Sequence, residues 1–374
     1  MTDKLFWAEL QKILRRRLQW LWLAALAGFM CFWVWGGTVA EADIVVDGVR
    51  SHGLEAIRKN REIARQWEGT LTLEKLYRIL DTYGIAVNET DDRDSPRGGN
   101  WVSRYATEAL TDYKQRENGG SAAFLDREYL ERFSNQLKQT QPYFCYMEGM
   151  NTLFETQFSM NLLLLGILGI ALAPVFSEEY QCLTAPVLQT SLGGGQKTVT
   201  AKLLAAAVFS ESLYLVADGL LLFSFLCIYG TDGLKASAWL CGWAGENGAG
   251  LCMGEAYLIN FAWGALGILL MCVLTLFFSA KYRRSFVALL GALTCLLGGI
   301  ALVTVVSRIL PFFPFRIVCI AVGMCSPFYL MVTAASSGMG GYAFLSHGLR
   351  IALAGGTILW CILQIGRDWN RRDA

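Results

Sequence analysis

The sequence predicts an all-α, polytopic membrane protein. It should have six transmembrane helices, an outer re-entrant hairpin before the last of them, and a helical extracytoplasmic domain between the first and second. Three observations carry this. Of 374 residues, 54% are hydrophobic and only 17% charged, against roughly 25% charged in soluble domains. The charge is segregated: residues 41–156 hold 20 Asp and Glu and 15 Lys and Arg, whereas the remainder is almost charge-free between short clusters. In that remainder, apolar runs recur at about 20 residues, the length that crosses a bilayer core.

In chain order, residues 1–17 carry an apolar stripe of Phe6, Leu10, Ile13 and Leu14, with Trp7, and end on Arg15, Arg16 and Arg17. This is the pattern of a helix lying in the membrane interface. Residues 18–40 form the first span; the run is too long and Trp-rich for a cleavable signal. The block 41–156 reads as helices at 51–69, 70–84, 101–115 and 126–139, with a loop rich in Asp, Gly and Pro at 88–100. Asn88, Glu89 and Thr90 match a glycosylation sequon, a cheap pattern. Five further spans follow within 157–374: the run 156–177, then 203–228, 256–280, 285–307 and 351–366, the last extended toward Leu345 if Arg350 snorkels.

Orientation follows from the Lys and Arg of short flanking segments. Lys4, Lys12 and Arg15 to Arg17 place the N-terminus inside. Arg367, Arg371 and Arg372 do the same for the C-terminus, and Lys281, Arg283 and Arg284 for the connection between spans. Two inside ends require an even number of crossings, yet a seventh apolar stretch exists at 317–335. Pro311, Pro314 and Pro327 interrupt its surroundings and Arg308 and Arg316 flank it, so it is expected as the re-entrant hairpin. Seven spans with an outside C-terminus is the alternative.

Net charge is +1, which gives no footprint for nucleic acid. The eleven Cys show no metal spacing, and most sit inside apolar runs, where Cys behaves as a small hydrophobe. Cys241 and Cys252 share one polar loop and are either a disulfide or two free thiols. His52 and His347 are isolated, and no hydrolytic motif is present. Residues 193–198 (GGGQKT) are not a phosphate loop, because Gln196 precedes Lys197 where Gly is needed. The chain therefore carries no nucleotide site.

Two features carry function. Glu211 and Asp218 lie seven residues apart within the third span, on one helical face. A carboxylate there is costly and should face the bundle or a wet cavity, as part of a translocation path or as a local pair. The second feature is the inside segment 176–202. It begins acidic, has Val187 and Leu188 at its centre, and ends on a Gly run and Lys197 and Lys202.

This segment resembles the region after the second span of type-2 ATP-binding-cassette (ABC) permeases. Glu178 or Glu179, Thr184, Val187–Leu188, Thr190–Ser191, Gly193–Gly195 and Lys202 match that pattern in order. Leu183 stands where the family has Gly, and Gly194 or Gly195 where Arg is common. The basic interfacial helix, the six spans and the outer hairpin also agree. The resemblance implies a permease subunit of the plasma membrane of a bacterial cell. It would pair with a second copy or a related permease and with an ABC ATPase subunit, and would couple ATP hydrolysis on that partner to export. Glu178, Glu179, Val187, Leu188, Lys197 and Lys202 would carry the coupling and Glu211 and Asp218 the translocation path, with no cofactor on this chain. Peptide, lipid, antibiotic and ion are all compatible cargo. The competing reading is a membrane-anchored sensor whose extracytoplasmic domain binds a ligand.

Overall fold

The computed structural model describes residues 2–46, 49–86, 99–116, 122–190, 195–241, 250–306, 309, 313–332 and 347–370. Among them, six helices are long and apolar enough to cross a membrane: Gln19–Val39, Glu148–Gln181, Gln196–Tyr229, Met253–Tyr282, Ser285–Val305 and Gly348–Trp369. They coincide with the six runs read from the sequence. The chain forms two compact units. The first comprises Met1–Phe29, Gln157–Leu220 and Leu258–Ala374, and the second Met30–Thr156 and Leu221–Tyr257.

In the first unit, α1 (Thr2–Leu14) precedes α2 (Arg17–Phe32). The helix α7 (Glu148–Leu172) meets α8 (Pro174–Gln181) at a break. Pro174 cannot donate to the helix ladder. The hydroxyl of Ser279, on α11 (Met253–Tyr282), repairs the gap. It donates to Ala173 O at 2.6 Å and accepts from Phe176 N and Ser177 N at 3.1 and 3.0 Å. Such satisfaction is what permits a helix break where water is scarce. The short helix α9 (Ala185–Thr190) then leads to α10 (Gln196–Tyr229), followed after α11 by α12 (Ser285–Ala301).

The seventh apolar stretch folds as two short helices, α13 (Phe313–Met324) and α14 (Pro327–Val332), of 12 and 6 residues. At 1.5 Å per residue they reach about 18 and 9 Å, short of a roughly 30 Å core. Small residues let them approach closely. A Cβ at Gly299 of α12 would run into the Ser326 side chain, and one at Gly267 of α11 into Met331 and the Pro327 carbonyl. Arg308, Pro311 and the end of the expected hairpin at 333–335 lie outside the described residues. The chain ends in α15 (His347–Asn370).

The second unit departs from the all-helical expectation. It contains α3 (Leu54–Gln66), α4 (Leu73–Tyr83), α5 (Trp101–Leu110) and α6 (Arg127–Thr140) near the expected places. It also contains three two-stranded antiparallel sheets. β1 (Asp43–Val46) pairs with β2 (Val49–His52), β3 (Gly69–Thr70) with β6 (Tyr143–Phe144), and β4 (Thr111–Arg116) with β5 (Ala122–Phe124). The helix expected over 101–115 ends at Leu110, and Thr111 turns into extended backbone (φ −127°, ψ 151°). A strand needs a partner strand, and that partner lay outside the helical window. The loop expected at 88–100, with Asn88, falls mostly outside the described residues. α4 starts at an N-cap, Thr72, whose hydroxyl accepts from Lys75 N at 3.2 Å, and the capping box that residues 70–74 offer in the sequence does not close, because Glu74 bonds Arg78.

Asn60 ties the unit together. Its Nδ2 donates to Asp43 O at 3.4 Å and its Oδ1 accepts from Trp101 N at 2.8 Å. Trp101 stacks on Phe144 at 5.3 Å and meets Tyr146 edge-on at 5.1 Å. Asp232 accepts from Arg61 Nε at 2.6 Å and Arg65 Nη2 at 3.2 Å, pinning residues 230–240 to α3. The Arg61 hydrogen bond, outweighing burial, holds the Asp232 carboxyl below its ordinary value.

Candidate functional site: a charged clamp at α1, α8, α9 and α10

The amphipathic helix α1 presents two faces. Glu9, Leu10 and Ile13 are buried, while Trp7 and Leu14 are exposed, as suits a helix seated on protein below and lipid beside. The inward face carries the centre of the site. Lys202 Nζ, on the first turns of α10, reaches Glu9 Oε2 at 2.9 Å, Glu179 Oε1 at 2.7 Å and Val175 O at 3.1 Å. Lys12 Nζ reaches Glu9 Oε1 at 2.9 Å and Glu179 Oε1 at 3.2 Å. Two lysines and two glutamates thus alternate and cancel. The Lys202 side chain is 1% exposed and that of Glu9 6%. Buried charges survive only when paired in this way. The Lys202 ammonium also sits 5.6 Å from the Phe176 ring centroid, a cation–π contact. Arg16 pairs with Glu178 and donates to Ala171 O at 3.3 Å.

Burial alone would raise the Glu9 carboxyl. The Lys202 charge and the hydrogen bonds from Lys12 and Lys202 outweigh it, leaving Glu9 below its ordinary value. Burial depresses the Lys12 ammonium, but Glu9 and Glu179 more than reverse this and it ends above its ordinary value.

The turn from α8 to α9 places Leu183 at φ 58°, in the left-handed region that costs a branched side chain energy and costs Gly none. Leu183 is also 79% exposed, so packing does not explain its presence. This is the position where the permease pattern has Gly. Thr184 N and Cys182 N close the turn on Glu179 O and Glu178 O at 2.9 and 2.8 Å. α9 leaves Val187 69% exposed and Leu188 half-buried. Gln189 Nε2 donates to Trp369 O at 2.8 Å, and the buried Trp369 ring packs on Phe176 and Tyr180 at 5.4 and 5.5 Å. A cavity of about 720 Å³ opens among Glu9, Lys12, Arg16, Glu179, Val187 and Leu188.

Of the six coupling residues expected from the sequence, Glu179 and Lys202 are engaged internally. Glu178 is half-exposed against Arg16, and Val187 and Lys197 are exposed. Ser191, Gly193 and Gly194 of the matched pattern lie outside the described residues. Asp218 is fully buried and accepts from Gln157 Nε2 at 2.6 Å, whose Oε1 accepts from Asn260 Nδ2 at 3.1 Å. Glu211 is half-buried, and its Oε1 has no hydrogen-bond partner.

Sequence reasoning missed Glu9, Gln157, Asn260, Ser279 and Trp369. The first three had a signal: a lone acid next to an apolar stripe, and amides inside apolar runs. Cys241 and Cys252 are both free thiols. Among the described residues no group of three His, Cys, Asp or Glu is placed to hold a metal. Comparison with protein-family models, curated proteins and solved structures gives no match for this chain.

Proposed function

We propose that the chain is the membrane-spanning permease subunit of an ABC transporter, coupling ATP hydrolysis on a separate ATPase subunit to export across the plasma membrane. The single observation that carries this reading is the clamp. A short helix, α9, presents Val187 and Leu188 from a base that three buried charges, Glu9, Glu179 and Lys202, tie together, with the more exposed Lys12 alongside. Lys202 connects that base to α10, the helix that also carries Glu211 and Asp218. A partner that displaces α9 therefore pulls on α10 and α1 together. In this reading Val187, Leu188, Glu178 and Lys197 touch the ATPase, while Glu179 and Lys202 position the helix. Both termini and residues 176–202 face the cytoplasm, residues 41–156 lie outside, the seventh stretch is an outer hairpin, and the chain pairs with a second permease copy or a related one.

The test is co-purification of an ABC ATPase subunit from the native membrane with the wild type and with V187D/L188D. Losing one apolar anchor typically weakens binding by about 1–3 kcal/mol, a 5- to 150-fold change. Wild-type recovery and activity of the double variant would remove α9 as the coupling element. One observation favours the sensor reading: a groove of about 450 Å³ between α4 and α6, lined by Leu73, Tyr77, Leu130, Asn135 and Lys138. A chain that never recovers an ATPase but binds a ligand through this groove would be the sensor.

A further inference from the structure

The cavity of about 720 Å³ beside the clamp lies between the end of α1 and the turn from α8 to α9, and its volume is that of a small-ligand site. Ile13, Val175 and Val187 give it an apolar wall. Its charges do not cancel. Lys12, Arg15, Arg16 and Lys202 line it against only three carboxylates, Glu9, Glu178 and Glu179, which leaves one positive charge. Lys202 is engaged by Glu9 and Glu179, and Arg16 by Glu178. Lys12 holds Glu9 and Glu179, which uses two of its three N–H groups, and its side chain stays 53% exposed. Arg15 is exposed, and among the described residues its guanidinium has no ion-pair or hydrogen-bond partner.

The cavity also lies at headgroup depth. Trp7 and Leu14 stand out from α1, and Trp20 from the start of α2, at 59%, 40% and 63% exposure. The Trp20 indole donates to Leu14 O at 3.1 Å, across the corner that holds Arg15 and Arg16. The first span starts four positions after Arg15, at Gln19. Exposed Trp at the end of a span marks the membrane interface. A soluble anion would use the unpaired guanidinium and ignore the apolar wall, and an apolar anchor from a protein would do the reverse. A phospholipid uses both. We propose that the cavity binds one anionic phospholipid, with its phosphodiester on the Arg15 guanidinium and the remaining Lys12 N–H, and its glycerol and first methylenes against Ile13, Val175 and Val187. A phosphodiester carries one negative charge, which completes the count, and Arg meets phosphate through two parallel N–H donors. Bound there, the lipid braces α1 against α9, so the composition of the leaflet sets how firmly α9 is held. This inference needs no ATPase and stands if the coupling role of α9 fails.

The experiment uses the full chain, delipidated in detergent micelles and then given dioleoyl phosphatidylglycerol, dioleoyl phosphatidylcholine, or phosphatidylcholine with inorganic phosphate. Native mass spectrometry counts the lipids retained, and the fluorescence of the 12 Trp follows melting. The wild type should retain one phosphatidylglycerol in preference to phosphatidylcholine. A ligand held only by the folded chain at ten times its Kd shifts the folded-to-unfolded ratio about 11-fold, so phosphatidylglycerol should also raise the melting point. R15Q should lower that retention about 10-fold or more, the worth of charge-assisted hydrogen bonds. K4Q and R17Q remove the same charge from exposed positions that do not line the cavity, and should change retention less than about 5-fold. C182W, which adds bulk at an exposed lining position, should also lose the lipid, and it serves if R15Q does not fold. Equal retention of the two lipids by the wild type would overturn the site, as would retention that survives R15Q and C182W. Equal losses in R15Q, K4Q and R17Q would assign the lipid to diffuse surface attraction, and inorganic phosphate matching the phosphatidylglycerol shift would assign the cavity to a soluble anion; either result overturns the proposal.

Discussion

Replacing Lys202 by Met tests the clamp directly. The change removes two ion pairs, at 2.9 and 2.7 Å, and a hydrogen bond to Val175 O at 3.1 Å. The lost apolar packing is small, because Met has nearly the length of the Lys stem. What remains is Glu9 and Glu179 facing each other with only Lys12 between them. Breaking a buried pair and stranding its partner costs about 3–5 kcal/mol. The pH dependence carries the sign. Glu9 is depressed in the native protein, so its contribution is complete above its ordinary value of 4.5 and is lost as pH falls through the lower native value. Without Lys202, burial dominates and the Glu9 carboxyl rises. The deficit of K202M relative to wild type should therefore be largest at neutral pH and shrink as pH falls below about 5. The assay is equilibrium unfolding in mixed micelles at several pH values for wild type, K202M, E9Q and E9Q/K202M. The double variant should be less damaged than the sum of the singles, by at least about 1 kcal/mol. A deficit below about 1 kcal/mol, the worth of an exposed pair, or one that does not change with pH, would refute the buried clamp.

Other perturbations are simpler. L183G should stabilise by about 0.5–1 kcal/mol, the relief of a left-handed Leu less the added chain entropy of Gly, read as a raised melting point. G267A should cost about 1–3 kcal/mol, because its Cβ meets the Pro327 carbonyl and Met331; wild-type stability would mean that α14 does not pack against α11 as described. D232N should cost about 1 kcal/mol at neutral pH, since the Arg61 and Arg65 pairs are partly exposed. Its deficit should fade below the ordinary Asp value of 3.8 as the wild-type carboxyl protonates. An impermeant thiol reagent should spare Cys145 whichever side it faces. Its Sγ donates to Asp232 O at 3.1 Å, and burial pushes the thiol up to about 12. Topology should therefore be mapped with Cys placed at exposed Lys138 and at exposed Lys197, expected outside and inside respectively. Labelling of the second but not the first in intact cells would invert the orientation.

The six spans were legible in the sequence because crossing a bilayer is a local property. A run of about 20 apolar residues at 1.5 Å each either reaches across or does not. That the seventh stretch breaks into short helices was legible for the same reason, since Pro327 limits how long a helix can grow there. The stripe of α1 likewise needed only nearest neighbours along the chain. The strands were not legible. Thr111–Arg116 is a strand because Ala122–Phe124 lies beside it, and Thr70 because Tyr143 does, 73 positions later in the sequence. Nor was the role of Lys202. In the sequence it is one basic residue at the end of a polar segment, and a contact with a partner protein is the natural reading. Its ammonium is instead buried between Glu179 and Glu9, 23 and 193 positions away. Gln157 and Asn260, 103 positions apart, fix the direction of the Asp218 chain in the same way. Length and hydropathy are sums over adjacent residues, so the sequence settles them. Burial and pairing belong to residues that only the fold brings together, and the tertiary structure alone decides whether a charge faces a partner, the lipid or its own helix bundle.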